Sequence, residues 1–114
     1  MNIKRGDIFL AALDPVMGRE ISKTRPVVVV SNDKNNEFSG TVTISPITSK
    51  NTQAAYPFEV FLPRGHANLP KDSKIKADQI RTLDKSRLIK QLGVLDKKDL
   101  EDMDRAMKIH LALP

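Results

Sequence analysis

Four consecutive valines stand in this chain, Val27-Val28-Val29-Val30, entered through Arg25-Pro26 and left through Ser31-Asn32. Four residues are too few for a packing helix, and valine at every position leaves neither face polar. Such a run suits a strand buried on both sides. The fold must then place apolar layers above and below it. Pro26 is expected at the first strand position, where a missing N–H costs least. The longest apolar run, Ile8-Phe9-Leu10-Ala11-Ala12-Leu13, is also far short of the roughly 20 residues that cross a bilayer.

The neighbouring segments read as more strands. Residues 7–13 follow Gly6, carry β-compatible apolar side chains and stop at Asp14-Pro15. Thr41-Val42-Thr43-Ile44-Ser45 alternates at period two, as a half-buried strand does, and Pro46 is expected to end it. Residues 56–62 form another, closed by the turn Pro63-Arg64-Gly65. Two short strands are expected at 73–77 and 79–82, and one more at 88–95 with Gly93 at a bulge. Residues 32–40 are polar and read as a loop with room for one helical turn.

The period then changes. Leu100, Met103, Met107 and Leu111 recur at helical spacing and read as one core-facing stripe. Asp96 is the expected N-cap, with Asp99 and Glu101 in the first turn and Lys108 and His110 near the end. Short strands closed by one helix predict a mainly β domain over residues 1–114. It would be a compact twisted sheet or small barrel with the helix packed on it.

Lys and Arg number 19 against 14 Asp and Glu, a formal charge of +5. That balance attracts polyanions, and it equally serves ordinary solubility. Cysteine is absent, which removes disulfides and thiolate metal sites. The first seven residues lack the apolar core of a signal peptide, so a soluble cytoplasmic protein is expected.

Familiar catalytic patterns are missing. His66 lies beside Gly65 in a turn and His110 on the terminal helix, so a two-histidine nuclease is not expected. The sequence shows no metal-ligand spacing and no phosphate-binding glycine loop, so neither metal nor cofactor is expected. What remains is polar residues at strand ends: Arg25, Thr48 in Ser45-Pro46-Ile47-Thr48-Ser49, and Asp78-Gln79-Ile80-Arg81-Thr82. If these ends converge, guanidinium, hydroxyl and amide groups surround a phosphate. Taken singly, each also fits a structural or solvent-facing role.

Gly6-Asp7-Ile8, the segment from Arg25 through Asp33, Pro46-Ile47-Thr48-Ser49, the segment from Asp78 through Leu88, and the terminal helix together resemble the MazF/PemK toxins. Their order and spacing fit from about residue 4 to 113. The resemblance implies an SH3-related, CcdB/PemK-like β-barrel with a C-terminal helix. It implies sequence-specific endoribonuclease activity on single-stranded RNA, mostly mRNA, by a homodimer with RNA along its interface. A cognate antitoxin with a disordered acidic C-terminal tail would block the groove. Arg25 and Thr48 match the family's catalytic pair. RNA contact is implied for Gly18, Arg19 and Glu20 in the loop 16–24, and for Ser31, Ser49, Gln79 and Arg81. Ile21 departs from the polar residue common at its place, which bears on base specificity. CcdB-like relatives that bind DNA gyrase without cutting RNA are the alternative.

Overall fold

The computed structural model describes residues 2–53 and 55–114. Seven strands form one antiparallel sheet: β1 (Asp7–Ala12), β2 (Thr24–Val29), β3 (Thr41–Thr48), β4 (Glu59–Leu62), β5 (Ser73–Lys76), β6 (Arg81–Asp84) and β7 (Leu88–Val94). Their order is β4-β5-β3-β2-β1-β7, with β6 also paired to β3. A short helix, α1 (Asp33–Phe38), follows β2, and α2 (Lys97–Leu111) closes the chain. Among the described residues edge strands β4 and β7 do not pair, so the sheet is open rather than a closed barrel. No helix among the described residues is long and apolar enough to cross a membrane.

The valine run sits where its composition requires. Val27 and Val29 pack with Phe9, Leu13, Ile44 and Leu83 on one side of the sheet. Val28 and Val30 pack with Ile8, Ile47, Ile75 and Met103 on the other. The strand is therefore a wall shared by two cores. Each core holds one set of alternating positions, which a period-two strand supplies.

Some expected boundaries move. Pro26 is the third residue of β2, not the first: the hairpin with β1 runs on to Arg25 opposite Ala11 and Thr24 opposite Ala12. Pairing of β2 with β3 begins only at Val27, so the proline lies where β2 has one neighbour. Pro46 does not end β3, which continues to Thr48. It stands where β3 leaves β2 and takes β5 as its partner, and a missing N–H is tolerated at such an interruption. β4 begins at Glu59 rather than residue 56. The polar segment after β2 contains the six-residue α1, capped by Asn32, whose side chain accepts from Asn35 N at 2.8 Å.

The run from β5 to β6 follows one edge of β3 with a break. The partner sums change from Ile47 with Ile75 to Ile44 with Arg81, a slip of three residues. Those three residues form the 3-10 turn Ala77–Gln79, so Gln79 is in the turn rather than in a strand. β7 carries two irregularities against β1, one between Gly93 and Gln91 and one between Lys90 and Leu88. The first adjoins Gly93, as expected. The Ala67 carbonyl occupies the place where a Cβ on residue 93 would stand, so only glycine fits.

Helix α2 is capped as predicted: the Asp96 side chain accepts from Asp99 N at 2.8 Å. Met103 and Ala106 are buried, and Leu100 and Met107 pack against the same core. Leu111 falls outside the stripe and is 49% exposed, because the helix has run past the sheet by its last turn.

Candidate active site

Arg25 and Thr48 both lie just beyond the end of one strand ladder. The β2–β3 ladder pairs Val29 with Ile44, Val28 with Ser45 and Val27 with Pro46. Arg25 lies two residues before Val27 on β2 and Thr48 two residues after Pro46 on β3, each just past that last pair. At this point β3 leaves β2 and takes β5 as its partner, and Thr48 lines a cleft that also holds Lys50, Lys74 and Lys76. The Arg25 Nε donates to the Ser22 carbonyl at 2.7 Å. Among the described residues its terminal nitrogens make no hydrogen bond, which leaves the outer edge of the fork for an anion. Thr48 is buried, and its Oγ1 accepts from Lys50 N at 3.2 Å. That fixes the rotamer and leaves the hydroxyl proton free to donate.

The loop between β1 and β2 forms one bank of the cleft and is pinned along its length. Leu13 N donates to the Lys23 carbonyl at 3.0 Å, and the guanidinium of Arg81 reaches the Leu13 carbonyl at 3.0 Å. Arg87 donates to the Ala12 carbonyl at 3.1 Å. Gln79, displaced from the ladder by its turn, accepts from Ile21 N at 2.8 Å. Glu20 accepts from Met17 N within the loop, and Gly18 supplies a left-handed φ of 54° at its tip. Ile21 packs with Val16 against the Val27–Val29 core. The apolar side chain at position 21 thus anchors the loop to that core.

A cavity of about 380 Å³ opens between this loop and the β5–β6 turn, lined by Arg19, Glu20, Ile21, Asp78, Gln79 and Arg81 among others. A second, of about 180 Å³, shares Ile21 and Gln79 and continues past Thr48, Lys50 and Asn51 to Lys74 and Lys76. A third, of about 610 Å³, shares Asn51, Lys74 and Lys76 and ends at Gln53 and Tyr56. The three form one trough with Thr48 in its middle. Tyr56 is exposed and stacks on Phe58, with ring centroids 5.4 Å apart and planes 4° from parallel.

Most sequence-predicted positions fall on this trough. Gly18 and Ser49 lie in its bordering segments, and Arg19, Glu20, Gln79 and Arg81 line it directly. Ser31 does not line it. Its hydroxyl pairs with Asn36 Oδ1 and accepts from Thr43 N at 3.0 Å, holding the corner between β2 and α1. His66 and His110 sit near opposite ends of α2 and do not share a pocket, in keeping with the expectation that they form no catalytic pair. The His66 Nδ1 lies 2.8 Å from Asp99 Oδ2, and the His110 ring tilts against Phe58. With Asp96, the His66–Asp99 pair groups three metal-capable side chains whose ligand atoms lie within 4.8 Å of one another. Sequence spacing gave no sign of this cluster, because the chain folds a distant turn onto the helix start.

The charged floor of the trough was also missed. The Glu59 carboxylate accepts from Lys74 Nζ at 3.1 Å and from Lys76 Nζ at 2.6 Å. Burial alone would raise its pKa. Hydrogen bonds from Lys76, the Tyr56 backbone N–H and Lys74 outweigh that and hold it below the usual glutamate range. The available signal was Lys74-Ile75-Lys76, a period-two alternation with charge on one face of a strand.

The described residues define an open antiparallel sheet with a lysine- and arginine-bearing trough across its strand ends. The sequence pattern of the PemK-like, MazF-like toxins of type II toxin–antitoxin systems matches residues 4–111, and the chain belongs to that family. It is 41% identical over 111 residues to Endoribonuclease MazF of Staphylococcus saprophyticus, covering 97% of this chain and 92% of that protein. Crystalline MazF from Deinococcus radiodurans superposes with a TM-score of 0.85 at 28% identity, over 99% of each chain. A MazE–MazF structure from the same organism superposes with a TM-score of 0.72 at 27% identity, again over 99% of each chain.

Proposed function

We propose that this chain is a sequence-specific, metal-independent endoribonuclease toxin that cuts single-stranded RNA, chiefly mRNA. The observation that carries the reading is that Thr48 lines a cleft with Lys50, Lys74 and Lys76, while Arg25 lies just past the last β2–β3 pair with its outer nitrogens unbonded among the described residues. The relative named Endoribonuclease MazF supports the reaction class, and none of the relatives described favours gyrase binding.

The chemistry follows from the groups present. The ribose 2′-oxygen attacks the adjacent phosphorus; the new bond is 2′-O–P and the broken one P–O5′. The products are a 2′,3′-cyclic phosphate and a 5′-hydroxyl. Nucleophile and phosphorus share one molecule, so proximity supplies much of the rate. Arg25 offers two parallel donors to the non-bridging oxygens and stays charged at every working pH. It therefore stabilises the phosphorane and is unsuited to act as a base. Thr48 donates its hydroxyl to the same oxygens. Glu20 lines the adjoining cavity with Oε1 held by Met17 N, and its second oxygen is the group to test as acceptor of the 2′-proton.

The working form in this reading is a homodimer with RNA along the interface. Its inhibitor is a cognate antitoxin whose acidic C-terminal tail competes for the trough. The MazE–MazF structure of the D. radiodurans relative supports a protein partner. End-mapping of a long RNA incubated with pure protein in excess EDTA tests the core claim. Discrete cuts with cyclic-phosphate ends are expected. Intact RNA in EDTA with cutting restored by Mg²⁺ would overturn metal independence, and no cutting in either condition would overturn the nuclease.

A further inference from the structure

Beside Thr48 the sheet carries an ionic cluster that no reading of the catalytic pair requires. Lys74 is the direct cross-strand partner of Thr48 in the β3–β5 ladder. Directly paired residues share a face, with Cβ atoms about 5 Å apart. On the other side of β5, Glu59 stands directly opposite Lys76, and Lys74 is its diagonal neighbour. Thr48, Lys74, Lys76 and Glu59 therefore occupy one face of three adjacent strands.

Their burial is graded. The Glu59 side chain is wholly buried, the Lys74 side chain nearly so, and that of Lys76 remains 20% accessible. A buried carboxylate with two ammonium donors is a fixed base plate. It consumes one donor of Lys76 at 2.6 Å. Asp78, the remaining acidic neighbour, stands at 3.8 Å, beyond hydrogen-bond reach. Lys76 thus presents an oriented ammonium with unused N–H groups into the trough, where Lys50 adds a further cation.

The position of Lys76 is as informative as its charge. It lines both the cavity that holds Thr48 and the larger cavity that ends at Tyr56. A chain threading from one to the other must pass it. We propose that Lys76, oriented by Glu59, is a phosphate-binding residue for the RNA phosphodiester that crosses between these two cavities, one step removed from the bond at Thr48. Glu59 acts as a positioning residue that limits the lysine's freedom before substrate arrives. The inference rests on the reading that the trough takes RNA, and it adds a phosphate subsite to that reading.

The test separates binding from cutting by using a mixed-sequence 2′-O-methyl RNA, which lacks the nucleophile. Its dissociation constant is measured by fluorescence anisotropy across a salt series. Lys76→Gln should weaken binding and lower the salt slope by about 0.7, the value for one phosphate on a single strand. Lys76→Arg should keep the slope. An affinity and slope for Lys76→Gln equal to those of the unmodified protein overturn the proposal. Acetylation footprinting on the unmodified protein gives a second arm that needs no variant. Bound strand should protect Lys76, and equal labelling with and without strand overturns the proposal even if Lys76→Gln does not fold. If the strand binds and protects Lys76 while natural RNA stays intact, the nuclease reading fails and the phosphate subsite stands. If RNA is cut normally by a folded Lys76→Gln protein with an unchanged salt slope, the reverse holds.

Discussion

Arg25 is tied at Nε and open at its two outer nitrogens, and this division predicts what its removal does. Arg25→Ala deletes one loop hydrogen bond and, in the proposed mechanism, the charge partner of the phosphorane. Cleavage should fall by about 10²–10³-fold or more, the usual effect of losing a transition-state donor. The melting temperature should move little, since Arg25 lies at the edge of the core and its bonded partner is a loop carbonyl. Cleavage measured beside a thermal melt checks both; a collapsed melt would assign Arg25 to structure. Thr48→Val keeps the shape of the buried side chain and removes the hydroxyl. It should lower kcat while leaving 2′-O-methyl RNA affinity near the original. None of these roles can be read from the residue alone, because an arginine before a strand and a threonine after a proline are common. Their family pattern marked them, and both lie just past the last β2–β3 pair.

At the level of elements, the clearest tests fall where one residue decides a junction. Asp96→Ala removes the side-chain acceptor that caps α2 and should cost about 1 kcal/mol by chemical denaturation. The helix carries Met103 into the core, so the loss should appear in global stability rather than as local fraying. Gly93→Ala forces a methyl onto the Ala67 carbonyl and should cost about 1–3 kcal/mol, as overpacking does. An unchanged denaturation midpoint for Gly93→Ala would show that the turn at Ala67 yields freely. The elements themselves were largely legible. Period-two alternation gave β3, the valine run gave β2, β-compatible segments bounded by turn residues gave β1 and β7, and helical spacing with an Asp cap gave α2. The proline boundaries were not. Pro26 and Pro46 lie inside strands because each falls where its strand lacks or changes a neighbour, and neighbours are a tertiary fact.

Over the whole molecule, charge and pH should reveal the Glu59 cluster. The carboxylate titrates below its ordinary value of 4.5 in the folded protein. A lowered folded pKa means the stabilisation is fully present above the unfolded value and is lost as pH falls through the folded one. Thermal melts from pH 6 down to pH 3 should therefore show an acid-side loss that Glu59→Gln reduces. Asp7 acts with the opposite sign. Burial raises its pKa from 3.8, so protonation as pH falls through the raised value favours the folded state. Asp7→Asn should then stabilise the protein near neutrality, provided the amide is tolerated beside Lys4 N. A lower melting temperature for Asp7→Asn at pH 7 would show that its bond to Lys4 N outweighs burial.

The sequence by itself determined the materials: a strand that had to be buried on both faces, a capped amphipathic helix, and an excess of basic charge without thiols. These are local properties, set by side-chain size, branching, period and charge over a few residues. Only the tertiary structure decided the trough. Thr48 meets Lys74 because β3 and β5 pair in one register out of several. Gln79 reaches the loop because three extra residues fall between β5 and β6. Lys74 and Lys76 share Glu59 because β4 and β5 lie side by side. Each of these joins residues distant in the chain. Their proximity depends on which edges pair, and no short stretch of sequence carries that information.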